Sequence, residues 1–174
     1  SAASARTRMR VAVTPPILLS VGFLAIGLGV PVEKVPMKFL ILVATLLRES
    51  PEDAVRAIAS AIIAADNQGD VEKVVGLYTP DAVLMPPGGA FVEGRDAIRA
   101  HYGALFSRFS LMATLSSRET IVSGEWAFDR GTTEVASTSK ETGETVEAHD
   151  KYLMVLHHEE DGWRIARLIW NRNP

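Results

Sequence analysis

Apolar and polar positions alternate with two different periods in the second part of the chain, and the change of period marks where helices give way to strands. Ser50-Pro51-Glu52-Asp53 combines an N-cap residue, a proline in the first turn and two acids at the positive end of a helix. Val55, Ile58, Ala59, Ile62 and Ile63 then recur at helical spacing as one apolar stripe. Asn67-Gln68-Gly69 predicts the stop, and Asp70 caps a second, shorter helix carrying Val71, Val74, Val75 and Tyr78 and ending at Thr79-Pro80. Ala82-Val83-Leu84-Met85 reads as a strand, Pro86-Pro87-Gly88-Gly89 as a turn, and Phe91-Val92-Glu93 as its return. A third helix is expected over about 95–109, with Ile98, Tyr102, Leu105, Phe106 and Phe109 on its apolar side.

From there the period is two. Residues 111–123, 125–138, 145–158 and 163–170 predict four strands. Gly124, the polar stretch 139–144 and Glu160-Asp161-Gly162 are the turns that join them. Helices followed by an antiparallel meander make an α+β fold, with one face of the sheet covered by the helices. Trp163 and Trp170 are seven residues apart, so they face opposite sides unless a bulge intervenes.

The first 49 residues follow neither period. Val11 to Val32 contains no charged residue, and a second apolar run, Phe39 to Leu47, follows Met37-Lys38. Residues 1–49 hold six Lys/Arg against two acids (+4), whereas residues 50–174 hold twelve against nineteen (−7). The chain therefore divides near Ser50. Three readings of the first segment stand: a membrane anchor, a signal-like targeting segment, or an appendage packed on the main domain. The first two imply a membrane-associated or exported protein and the third a cytoplasmic one. Pro15, Pro16, Pro31 and Pro36 interrupt any single long helix there.

Composition removes whole classes of chemistry. The 174 residues include no cysteine, so there is no disulfide, thiolate nucleophile or Cys-based metal centre. The net charge is −3, with no basic run in residues 50–174, which argues against a nucleic-acid partner. There is no phosphate-binding Gly-rich loop, no Gly-x-Ser-x-Gly elbow and no His-Glu-x-x-His helix, and no cofactor is expected. His157 and His158 are adjacent on a strand and point to opposite faces, so no metal site is expected from them.

Three segments, in order, carry a resemblance: Leu77-Tyr78-Thr79-Pro80-Asp81-Ala82-Val83, then Gly94-Arg95-Asp96-Ala97-Ile98, then Lys151-Tyr152-Leu153-Met154-Val155 with Asp161-Gly162-Trp163-Arg164-Ile165 and Trp170-Asn171. Over about residues 50–174 the chain resembles the nuclear-transport-factor-2-like superfamily, in its SnoaL-like and ketosteroid-isomerase-like branch. The resemblance implies a sheet curled into a cone whose mouth takes a small apolar molecule, and a homodimer formed through the sheet. It leaves two functions open. One is proton-transfer chemistry (isomerisation, cyclisation or dehydration); the other is a non-catalytic ligand-binding or oligomerisation module.

Chemistry on such a scaffold needs a carboxylate or imidazole in an apolar surround and a donor for a developing oxyanion. Asp129 is the candidate base, an acid in the middle of a strand; the alternative is a cross-strand pair with an arginine on a wet face. His101 and Tyr102, on the third helix, are the candidate partners. Asp150, Tyr152 and Met154 share one strand face, either as cavity wall or as plain core, while Glu147, His149, Lys151 and His157 alternate on the other. The candidate wall residues are Tyr78, Met85, Phe106, Trp126, Tyr152, Met154, Trp170 and Asn171.

Overall fold

The computed structural model describes residues 49–173, preceded by Lys38 alone. The expected anchor, targeting segment or appendage lies outside the described residues. Among the described residues, no helix is long and apolar enough to cross a membrane.

The described residues form an α+β fold of three helices on a curved, unclosed six-stranded sheet. Helix α1 (Pro51–Gln68) starts as its sequence requires: Asp53 N–H donates to the Ser50 hydroxyl at 3.0 Å, and Pro51 occupies the first turn. It ends at Gly69, whose φ of 63° is the left-handed geometry of a helix C-terminus and favours glycine. Asp70 caps α2 (Val71–Gly76) by accepting from Lys73 N–H at 3.1 Å. Strand β1 (Tyr78–Met85) follows, then the short β2 (Val92–Glu93) and helix α3 (Arg95–Arg108). Four longer strands complete the order: β3 (Phe109–Ser123), β4 (Trp126–Ser139), β5 (Thr145–Glu159) and β6 (Gly162–Arg172).

Three expected boundaries move: Phe109 opens β3 instead of ending the third helix, Phe91 precedes β2, and the second helix stops earlier. Tyr78, Thr79 and Pro80 belong to β1 and do not end the second helix. Proline lacks the N–H a regular ladder needs, but β1 pairs irregularly with β6 between Tyr78 and Val83, and Pro80 sits inside that interruption.

The sheet order is β2-β1-β6-β5-β4-β3, antiparallel throughout except for the β1–β6 pair. Two bulges set which residues face inward. In β6 the register jumps from Val155↔Arg167 to Leu156↔Ile165, so Ala166 is the extra residue. It brings Trp163 and Trp170 to the same face: Trp163 is buried in the core and Trp170 packs against it. In β3 the jump lies between Ser117 and Glu119, with Arg118 extra. The core runs between α1, α3 and the inner face of the sheet, around Val55, Ala59, Ile62, Ile98, Tyr102, Leu156 and Ile165. At the end of α1, Asn67 Nδ2 donates to the Ala113 carbonyl at 3.0 Å and its Oδ1 accepts from Ala113 N–H at 2.6 Å, fixing the helix terminus to β3.

Candidate functional site

Alternation along four strands puts every second side chain on the inner face, and the helices do not fill the space above all of them. A cavity of about 250 Å³ remains. Its floor is Leu111, Ala113 and Leu115 from β3, Thr133, Val135 and Ser137 from β4, Ala148, Asp150, Tyr152 and Met154 from β5, and Leu168 and Trp170 from β6. Helix α1 closes it with Ile62, Ile63 and Asp66, and α3 with His101, Tyr102 and Leu105. Among the described residues the lining is mainly apolar and holds two carboxylates, one imidazole and no lysine or arginine.

Asp66 is the group the sequence reading missed. It continues the inward stripe Val55–Ala59–Ile62 by one more helical step, a place where an aliphatic residue is expected. The neighbouring Asn67 is tied to β3, which holds this last turn of α1 over the cavity. Asp66 Oδ1 is buried with no hydrogen-bond partner among the described residues. With no donor or cation to favour the charged form, burial pushes its carboxyl up to about 7.

Tyr102 lines the cavity and shares a hydrogen bond with the fully buried Tyr78, hydroxyl to hydroxyl, at 3.2 Å. Burial is the main reason both phenols are held above their ordinary range, and the nearby Asp66 charge adds to it. Two hydroxyls carry two protons and the shared bond uses one. With Tyr78 donating, the Tyr102 proton is free for an acceptor in the cavity. His101 meets the Tyr102 ring edge-on at 5.7 Å, and partial burial lowers its pKa, keeping the imidazole neutral around pH 7.

Asp129 is fully buried, yet it does not line the cavity. Its Oδ1 accepts from Ser117 Oγ at 2.5 Å and Thr120 Oγ1 at 2.7 Å, and its Oδ2 from Tyr152 OH at 2.5 Å. The β3 bulge delivers Ser117 and Thr120 to that spot. Three hydroxyl donors occupy the carboxylate, and Tyr152 presents its ring to the cavity while its hydroxyl is engaged with Asp129. The wet-face pair exists one residue away, between Arg130 and Glu119 at 2.5 Å.

Of the other expected site residues, His101, Tyr102, Tyr152, Met154 and Trp170 meet at the cavity. Tyr78 stands behind Tyr102, and Phe106 packs on the Tyr102 ring at 5.5 Å within the core. Met85 is half-buried on β1, away from the cavity. Trp126 and Asn171 are exposed on the outer face, where Trp126 packs against His157 at 4.5 Å. They fall there by simple parity: Trp126 pairs with His157 and Asn171 with Lys151, both in the outward row of β5. Among the described residues, no three His, Asp or Glu side chains converge as a metal site.

Known structures share this fold. A ketosteroid isomerase-like protein from Erwinia carotovora atroseptica is 30% identical, with a TM-score of 0.67 over 73% of this chain and 100% of that one. An NTF2-like superfamily protein from Salmonella enterica serovar Typhimurium is 16% identical, with a TM-score of 0.66 over 71% and 92% of the two chains. An NTF2-like protein with a cystatin-like fold from Novosphingobium aromaticivorans is 21% identical, with a TM-score of 0.60 over 80% and 91%. The two more distant likenesses concern the fold alone. No curated protein matches the chain. The SnoaL-like domain family matches residues 59–168, nearly the whole span from α1 to β6, and the chain belongs to that family.

Proposed function

We propose that the cavity binds a small, largely apolar molecule and moves a proton within it, with Asp66 carrying the proton. The observation behind this reading is Asp66, which lines an apolar cavity with one oxygen buried and unpartnered among the described residues, on a carboxyl pushed up to about 7. A group poised there exists in both protonation states near neutral pH and can take a proton from one carbon and return it to another. Tyr102, backed by Tyr78, supplies the donor for an oxygen that gains charge as the proton leaves. The apolar walls exclude water and strengthen both interactions. The reaction class is isomerisation, cyclisation or dehydration, and the likeness to a ketosteroid isomerase-like protein points the same way.

The test is hydrogen exchange on an enolisable ketone of suitable size, 2-tetralone, in deuterated buffer. The protein is expected to accelerate deuterium uptake beside the carbonyl, Asp66→Asn to lower that rate by about a hundredfold or more, and Tyr102→Phe by at least about tenfold. Binding of 2-tetralone without exchange favours the ligand-binding module. Full exchange in Asp66→Asn removes Asp66 from the role.

We also propose a homodimer through the outer face of the sheet. Ile121, Trp126 and Leu153 are exposed there, next to the half-buried Phe128, Val155 and Ile169. Such a patch loses free energy by staying wet. Light scattering on the intact chain is expected to give twice the chain mass, and Trp126→Lys to shift it toward the single-chain value. A single-chain mass for the natural sequence refutes the dimer.

A further inference from the structure

We infer that the Asp150 end of the cavity is a subsite for a protonated amine, so that the bound molecule is an apolar body ending in an ammonium group. The inference rests on the reading of the cavity as a ligand site and adds the chemical class of the ligand.

Asp150 is 9% exposed and lines the cavity, yet among the described residues no group hydrogen-bonds its carboxylate. Among the described residues, the cation that comes within 4.0 Å is Arg172, Nε to Asp150 Oδ1; that side chain is 62% exposed and outside hydrogen-bonding distance. A buried carboxylate normally has its donors supplied by the protein, as Asp129 does with three hydroxyls in the same sheet. Asp150 differs in facing open space that a ligand can occupy.

The surroundings select the donor. Tyr152 is the next residue on the Asp150 face of β5, and Trp170 is its cross-strand partner on β6. A carboxylate beside two aromatic rings is the chemistry that holds an ammonium, through charge and through the electron-rich ring faces. Asp66 adds a second acidic side chain to the lining, and among the described residues no lysine or arginine lines the space. The cavity field is therefore unfavourable to a carboxylate or phosphate ligand. A volume of about 250 Å³ equals the liquid volume of roughly eight waters, so the ligand has on the order of ten non-hydrogen atoms.

Three isosteric probes test this by calorimetry on the intact chain: 2-phenylethylamine, 2-phenylethanol and phenylacetate. The amine is expected to bind about tenfold or more tighter than the alcohol, with phenylacetate weakest. Asp150→Asn is expected to bring the amine down to the alcohol's affinity and leave the alcohol unchanged, while Ile63→Trp, which fills the cavity from α1, abolishes both. Equal affinities for amine and alcohol, or an amine preference that survives Asp150→Asn, overturn the amine subsite and leave the cavity reading intact. If neither probe binds, or if Ile63→Trp leaves their binding unchanged, the cavity is not the ligand site and the subsite falls with it. The comparison among probes on the natural sequence decides the matter even where a variant folds poorly.

Discussion

Between about pH 5 and pH 8, the stability advantage of Asp66→Asn over the natural sequence is expected to widen by about 2 kcal/mol. The folded chain holds the Asp66 proton up to about pH 7, whereas the unfolded chain releases it near the ordinary value of 3.8. Between those values the native state binds more protons than the unfolded state, so stability falls as pH rises and levels off above the folded pKa. The stabilising contribution is complete only below the unfolded value. Each unit of separation is worth about 1.4 kcal/mol, and the residual solvent contact of Asp66 reduces the full span. Asparagine has nearly the shape of the protonated acid and no charge to bury, so the variant lacks this slope. Urea unfolding of both proteins at the two pH values measures it, and a gap that stays constant would show that the carboxyl is not held protonated. If Asp66 carries the proton, the residue that costs stability at neutral pH is also the one that gives activity.

Gly131→Ala is expected to cost about 3–4 kcal/mol, or to prevent folding at 37 °C. A Cβ built on Gly131 meets the Ser116 carbonyl oxygen at 2.0 Å, its carbon at 2.9 Å and Ser117 Cα at 3.1 Å, all of them backbone atoms of β3. No side chain can swing aside, so the two strands must separate. They would do so at the bulge that sets Ser117 and Thr120 on Asp129. The change thus adds a steric clash and strips donors from a buried carboxylate. Gly103→Ala is the matched control. Beyond its own helix and among the described residues, no atom lies within 4 Å of a Cβ built there, and on helix α3 alanine is expected to gain up to about 1 kcal/mol. Equal stabilities for the two variants, measured by chemical unfolding, would refute the close approach of β3 and β4.

What could be read from the sequence follows from how local each signal is. The caps Ser50 and Asp70, the period change near Phe109 and the turn glycines are encoded within a few residues, and the elements they predict lie where expected. The alternation that groups Asp150, Tyr152 and Met154 on one face of β5 also needs no distant partner. Asp66 is different. It sits beside the Asn67-Gln68-Gly69 stop signal and so reads as part of a helix end, although the spacing 55–59–62–66 marks it as inward-facing. Asp129 misleads in the opposite sense. An acid on an inward strand position suggests chemistry, but its donors Ser117 and Thr120 come from another strand through a bulge with no local signature. The Tyr78-Thr79-Pro80 boundary fails for a similar reason, because proline's usual meaning is cancelled by an interruption in a pairing with β6, more than eighty residues away.

The two hydrogen bonds between the Asn67 amide and Ala113 also bear on how the sheet edge is kept from pairing with other chains. Strand β3 is the sheet's outer edge, 15 residues long, whereas the opposite edge, β2, has only two. A long edge with unpaired N–H and C=O groups is a template on which another chain can add a strand. Asn67 consumes the outward-facing N–H and C=O of Ala113, and Arg118 breaks the regular spacing farther along. Both features interrupt the regular run of a strand that is an edge among the described residues. One side-chain amide at the end of α1 thus blunts this edge as a template for strand addition.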